Sequence, residues 1–236
     1  MKLDRLTDYD NLNSFGSRMR ARRLKPLSDL IQSIYAAKGS VSILDLGGRE
    51  TYWKCMSPSF MQANAVKITI LNLPSDLSGE ESALFSHVTG DACDLHQYED
   101  NAFDIVHSNS VIEHVGNWDR VKAFSKEARR LAPNIFIQTP YYWFPVEPHF
   151  IKLFHHWLPK PVRATIWMRS SMGQRGTAKD IDEAMKRFDD EPYLLDMRMF
   201  RCLFPDCRII RERFVYLTKS LIAFRSDDKS LLKYGA

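Results

Sequence analysis

The run Ile43-Leu44-Asp45-Leu46 closes on two glycines, Gly47-Gly48, and no other feature constrains this chain as tightly. A buried-strand run ending in an acid, with the chain turning at once, is how a nucleotide-binding α/β domain opens. At the carboxyl end of a parallel strand, residues without Cβ let backbone and ligand approach closely. The carboxylate is then able to face a cation or hydroxyls of the ligand. A dinucleotide loop reads G-x-G-x-x-G, with glycine wherever a pyrophosphate presses on the backbone. Here Arg49, Glu50 and Thr51 fill that space. The loop therefore suits a nucleoside without a diphosphate better than NAD, and an NAD-dependent reductase is a weak reading.

Downstream, strand and helix signals alternate. Strand runs are expected over Val41–Leu46, Val66–Leu73, Phe85–Val88, Phe103–His107 and Asn134–Thr139, with prolines Pro74 and Pro140 closing two of them. Val121, Phe124, Ala128 and Leu131 fall on one face of a helix between the last two runs. That rhythm argues a doubly wound, mostly parallel sheet. Residues 1–40 read as a helical extension outside the sheet. Leu27, Leu30, Ile31 and Ile34 sit there at helical spacing, and Lys38-Gly39 ends the helix. The basic cluster Arg18, Arg20, Arg22, Arg23 and Lys25 reads as a solvated face, the sharper alternative being a lid or a surface for an anionic partner. Residues 141–177 break the rhythm with aromatics, histidines and prolines, as an insertion over the sheet's carboxyl edge. In 178–236, Thr177 with Asp180 suggests a capping box for a helix striped by Ile181, Met185 and Phe188. Met197, Phe200, Leu203 and Phe204 suggest another helix. Arg208–Tyr216 and Leu217–Arg225 form two nearly contiguous β-runs, an antiparallel hairpin at the sheet edge. All 236 residues fit one domain.

Bulk properties exclude more than they assign. Net charge is +4, too little by itself to imply nucleic acid. The cysteines Cys55, Cys93, Cys202 and Cys207 form no C-x-x-C pair, so neither a zinc site nor a disulfide framework is expected. Met1–Arg5 lacks the apolar stretch of a secretory signal. No apolar run nears the ~18 residues that span a bilayer. A cytoplasmic location is the expectation.

Together the motifs resemble class I S-adenosylmethionine-dependent methyltransferases. The resemblance rests on Asp-Leu-Gly-Gly after the first strand, a polar residue ending the second, Gly90-Asp91-Ala92 after the third, and Phe-Asp-Ile-Val-His-Ser-Asn-Ser-Val-Ile-Glu-His-Val around the fourth. It spans roughly residues 41–225, and the terminal hairpin matches the family's seven-stranded sheet. Trp53, Leu-Asn-Leu at the second strand, and Phe-Pro-Val-Glu-Pro-His-Phe followed by His-Trp-Leu-Pro look like a bacterial subgroup tied to glycan or natural-product pathways. The resemblance makes residues 41–140 the cofactor-binding half. It implies S-adenosylmethionine as cofactor, with Asp45 facing the methionine amino group and Gly47 and Gly48 passing close to the donor. Asn72 would bind the ribose, although the family usually places an acid there. Leu73 would pack on the adenine, Asp91 and Ala92 would meet its edge, and Asn109 would lie beside the methionine end.

An alcohol or phenol acceptor loses a proton on methylation, so a base nearby is expected to help by ~10²–10⁴-fold. Candidates are His149 first, in the rigid Glu147-Pro148-His149 patch, then His114 and His156, with Glu113 and Glu147 as carboxylates. Of His155 and His156, one is expected to face solvent. No metal is expected, because no H-x-x-x-H spacing supports one. The aromatics Tyr141, Tyr142, Trp143 and Phe144, with Phe150, Phe154 and Trp157, read as the acceptor pocket. The expected reaction is O-methylation of a small molecule or glycan. The apolar and basic stretch 153–167, with Lys160 and Arg163, leaves room for a lipid-linked acceptor and peripheral membrane contact. Methylation of RNA or protein, or a non-catalytic cofactor-binding module, is the alternative.

Overall fold

Strands begin and end within a few residues of the sequence signals in the computed structural model. It describes residues 15–75, 79, 81–146, 153–171, 176–189 and 191–234, without the side chains of 15–22 and 232. Helix α1 (Phe15–Lys38) leads into β1 (Val41–Leu46), and Gly39 at φ +74° makes the turn between them. Short helices α2 (Glu50–Trp53) and α3 (Pro58–Ala63) precede β2 (Val66–Asn72), which is followed by β3 (Phe85–Thr89) and β4 (Ile105–Asn109). Helix α4 (Trp118–Leu131) and β5 (Asn134–Pro140) follow. Then come α5 (Lys160–Arg169), α6 (Ile181–Lys186), α7 (Met197–Leu203) and the hairpin β6 (Arg208–Phe214) with β7 (Leu217–Arg225).

The seven-stranded sheet has the order β3-β2-β1-β4-β5-β7-β6. The first five strands run parallel, and β7 lies antiparallel between β5 and β6. Strand order reverses between β1 and β4. In an open α/β sheet, that reversal opens a crevice beyond the strands' carboxyl ends. Both faces are covered, as near-continuous apolar strands require. On one, Leu24, Leu27, Leu30 and Ile31 of α1 meet Ile43, Ile68, Ile105 and Phe136. On the other, Phe124 and Ala128 of α4 and Phe200 of α7 meet Leu44, Val106 and Ile137. The last carbonyls of a helix need outside donors. For α4, the Arg225 guanidinium supplies one to the Arg129 carbonyl at 2.9 Å and another to Pro133, just past the helix, at 2.8 Å.

Three sequence expectations shift. β4 starts at Ile105 rather than Phe103, because Asp104 is spent in binding Ser42 of β1. β6 stops at Phe214, and Val215, in the left-handed region at φ +56°, turns the hairpin. Helix α6 is capped by Asp180, which accepts from the Glu183 N–H, so Thr177 is not its cap. Ala184 on the helix and Phe188 just past it are buried, while Ile181 and Met185 are 55% and 45% exposed. Apolar spacing alone does not say which residues a neighbour covers.

Asp104 also gives the fold a pH dependence. Its carboxylate accepts from the Ser42 N–H and hydroxyl at 2.9 and 2.8 Å and pairs with Lys38. Burial would raise its pKa, but the bonds from Lys38 and Ser42 prevail and lower it below the ordinary 3.8. A carboxyl depressed in the folded state contributes stability above its unfolded pKa, and that contribution is lost as pH falls through the folded value. Urea midpoints should therefore show Asp104→Asn less stable than wild type at neutral pH, with the gap closing below about pH 4. A gap that stays constant into acid would contradict this role.

Candidate active site

At the switch point lies a crevice of about 720 Å³, within the range of small-molecule and cofactor sites. Asp45, Gly47, Gly48, Asn72, Leu73, Asp91, Ala92 and Asn109 all line it, with His114 at its edge. Residues far apart in sequence thus meet because each lies at or just past the carboxyl end of a neighbouring strand.

The floor is the bend after β1. Gly47 takes φ +69° and donates its N–H to the Leu71 carbonyl at 2.8 Å, tying the bend to β2. A Cβ there would meet Val111 at 2.5 Å. At Gly48 it would lie 1.8 Å from Asp45 Oδ2, a separation no side chain tolerates. Asp45 itself is fully buried. Trp53 Nε1 donates to Oδ2 at 2.7 Å, and His107 Nδ1 meets Oδ1 at 2.6 Å. His107 is its register partner on β4. Both carboxylate oxygens are thus engaged by the protein, directly beneath the bend.

The walls carry complementary groups. Asn72 donates through its amide nitrogen to the Gly48 carbonyl at 2.9 Å, leaving its oxygen for a hydroxyl donor. Asp91 Oδ1 accepts from the Cys93 N–H at 2.9 Å and from Arg120 at 2.7 Å. Burial pushes the Asp91 pKa up, but the Cys93 and Arg120 bonds bring it below the ordinary carboxylate value. It remains a charged acceptor in an Asx turn. Asn109 Oδ1 accepts from Arg23 at 2.8 Å, and Arg23 is held by Glu212 through Nε and a second nitrogen, both at 3.0 Å. Burial of Cys93 pushes its thiol up to about 11, so it is a protonated packing group at neutral pH.

The expected bases divide. His114 follows β4 in a 3-10 turn and reaches the crevice. Glu113 beside it is 1% exposed, accepts from the Thr139 hydroxyl at 3.0 Å and does not line the crevice. His156 Nε2 contacts the Tyr142 carbonyl at 2.8 Å, also away from the lining. His155 is buried and His156 half-buried, so neither is openly solvated. Glu147, His149 and Phe150 lie outside the described residues. A smaller cavity of about 370 Å³ has Tyr142, Trp143, Tyr193 and Met199 in its wall, so part of the aromatic insertion does frame a hollow. No group of three or more metal-ligating side chains occurs among the described residues.

Arg23, Tyr52, His107 and Arg120 escaped the sequence reading. Arg23 looked like one charge of a solvated helix, and His107 like the end of a strand. The available signal was register: a histidine on the strand next to an acid, each one or two residues before its strand's end.

Residues 54–136 match the family described as "Methyltransferase domain". No curated protein matches the chain significantly in sequence. Among solved structures, the PH0226 protein from Pyrococcus horikoshii OT3 aligns at 15% identity over 96% of this chain and 100% of its own, with TM-score 0.50. An O-methyltransferase family protein from Burkholderia thailandensis aligns at 13% identity and TM-score 0.48, over 90% of this chain and 59% of its own length. The methyltransferase domain of bacterial-CtHen1-CN gives 12% identity and TM-score 0.48, over 85% and 98%. At 15% identity, the likeness to the Pyrococcus protein shows the fold alone. The matched segment is that of a methyltransferase domain, and the sheet order and glycine bend agree with one that uses S-adenosylmethionine. The crevice fits that cofactor: Gly47 and Gly48 leave no Cβ in the way of close approach, and Asn72 and Asp91 offer acceptors at separate points along it.

Proposed function

We propose that this protein methylates an oxygen of a small molecule or glycan with S-adenosylmethionine as donor. The observation that carries this is the crevice at the β1/β4 switch point, floored by the Gly47-Gly48 bend. The bound sulfonium supplies a methyl group already activated for in-line transfer, so the protein's work is alignment. Orientation of reactants can lower a barrier by ~7–11 kcal/mol.

In this reading the Asn72 carbonyl oxygen takes a ribose hydroxyl, Leu73 covers an adenine face, and Asp91 with the Ala92 amide meets the adenine edge. Asn109, oriented by Arg23, marks the methionine end. His114 is the described side chain at the crevice suited to take the acceptor's proton, and His149 is the other base we propose. Tyr142, Trp143 and Tyr193 present apolar faces on which a sugar or ring can stack. Purified enzyme incubated with methyl-labelled donor and a panel of hydroxylated glycans and phenols tests the reading. Label in an acid-stable methyl ether supports O-transfer. Label only in RNA or protein amides would replace it. Of the basic cluster, Arg23 faces inward to Glu212 and Lys25 pairs with Asp29 at 3.0 Å, so these two lend that alternative little support.

Asn72 offers a graded check. A neutral hydrogen bond contributes about 1 kcal/mol, so Asn72→Ala should weaken S-adenosylhomocysteine binding by roughly 5- to 10-fold in calorimetry. An unchanged constant would remove Asn72 from the ribose.

A lipid-linked acceptor has a separate support. The hairpin tip Phe214, Val215, Tyr216 and Leu217 is 41–92% exposed, and Phe214 meets Phe144 edge-on at 6.4 Å. Co-sedimentation with anionic liposomes should fall when Val215 and Tyr216 are changed to serine. Wild-type protein that stays in the supernatant would dismiss membrane contact. No helix among the described residues is long and apolar enough to cross a membrane.

A further inference from the structure

Two polar atoms inside the crevice wall have no hydrogen-bonding partner among the described residues: the Tyr52 hydroxyl on α2 and Nε2 of His107 on β4. Both residues line the crevice beside Asp45 and Asn109. Tyr52 is 7% exposed and His107 fully buried, with ring centroids 4.8 Å apart. Unmatched buried polar groups are rare in folded proteins and call for an explanation. Here the mismatch is local. Asp45 is matched by Trp53 and His107, Asn109 by Arg23, and Glu212 by Arg23 and the Ser220 hydroxyl.

The chemistry of the two atoms is specific. Asp45 Oδ1 accepts from His107 Nδ1, and in the tautomer with its proton on Nδ1 the imidazole carries a lone pair on Nε2. A lone pair backed by a buried carboxylate suits a cationic N–H donor. The Tyr52 hydroxyl is able to donate to an anion. An ammonium and a carboxylate on neighbouring atoms are the head group of an α-amino acid.

We propose that His107 Nε2 and the Tyr52 hydroxyl anchor the amino-acid tail of the methyl donor, with Asp45 acting through the imidazole instead of touching the ligand. This rests on the crevice being the donor site. Both atoms are covered in the present conformation. The anchor role therefore requires Tyr52, on the four-residue helix α2, to move aside when the ligand binds.

Two ligands separate the possibilities: S-adenosylhomocysteine, which carries the tail, and 5′-methylthioadenosine, which keeps adenosine and sulfur without it. Calorimetry should show Tyr52→Phe and His107→Asn each weakening the first by about 10-fold or more while leaving the second unchanged. His107→Gln, whose side chain extends to the Nε2 position, should recover part of the loss. Tyr52→Phe should melt no lower than wild type, since it deletes only an unmatched hydroxyl. Equal loss for both ligands, or wild-type affinity for both, would overturn the anchor role and leave the crevice assignment standing. If the wild-type protein binds neither ligand, the donor reading itself fails, and the anchor with it.

Discussion

Alanine at position 48 should cost at least ~100-fold in S-adenosylhomocysteine affinity, about 2.7 kcal/mol, and lower the melting temperature as well. Its Cβ would sit 1.8 Å from Asp45 Oδ2 and 2.2 Å from Cγ. A long flexible side chain could swing clear of such a contact. Asp45 has no such freedom, because Trp53 and His107 grip it from two sides at 2.7 and 2.6 Å. The bend must move instead. The Gly48 carbonyl moves with it, and that carbonyl holds the Asn72 amide. Gly39→Ala is the control. Gly39 has positive φ, which Gly48 does not, but nothing lies within 4 Å of its added Cβ, so the variant should lose roughly 1 kcal/mol of stability and keep its affinity. Equal behaviour of the two variants in ligand titration would show that the close approach at the bend has no bearing on binding.

Removing Asp45 should be worse still. Asp45→Ala takes the acceptor from two buried donors, the Trp53 indole and the His107 imidazole. Stranding buried partners of a charged group costs about 3–5 kcal/mol. The variant should melt far below wild type, and S-adenosylhomocysteine should show no measurable heat of binding. Asp45→Asn keeps the shape and one acceptor oxygen but turns an NH₂ toward a donor, so it should fall between. Wild-type affinity in Asp45→Ala would discard the polar layer beneath the bend as a determinant of donor binding.

How much of this was legible follows from where the information sits. Strand ends were readable within a few residues because glycine, proline and polar residues stop strands for local reasons. Eight expected donor-side residues line one crevice for the same reason: each lies at or just past a strand's carboxyl end, and parallel strands align their ends. The layer beneath was not readable. His107 meets Asp45 only through the β1/β4 register, and Arg23 reaches Asn109 across 86 residues of sequence. The stripe assigned to α6 failed because exposure of Ile181 and Met185 depends on which neighbours arrive, and periodicity carries no word of that. Glu113 illustrates the same limit. A carboxylate next to the crevice histidine is turned instead to Thr139, on the adjacent strand.

The central claim is that the Gly47-Gly48 bend cradles a sulfonium donor's amino-acid end. A crystal structure of the protein soaked with S-adenosylhomocysteine tests it most directly. The expected result places adenosine between Leu73 and Ala92, with the tail over the bend against Tyr52 and His107. Electron density for the ligand elsewhere, or a crevice left empty at saturating concentration, would contradict the account.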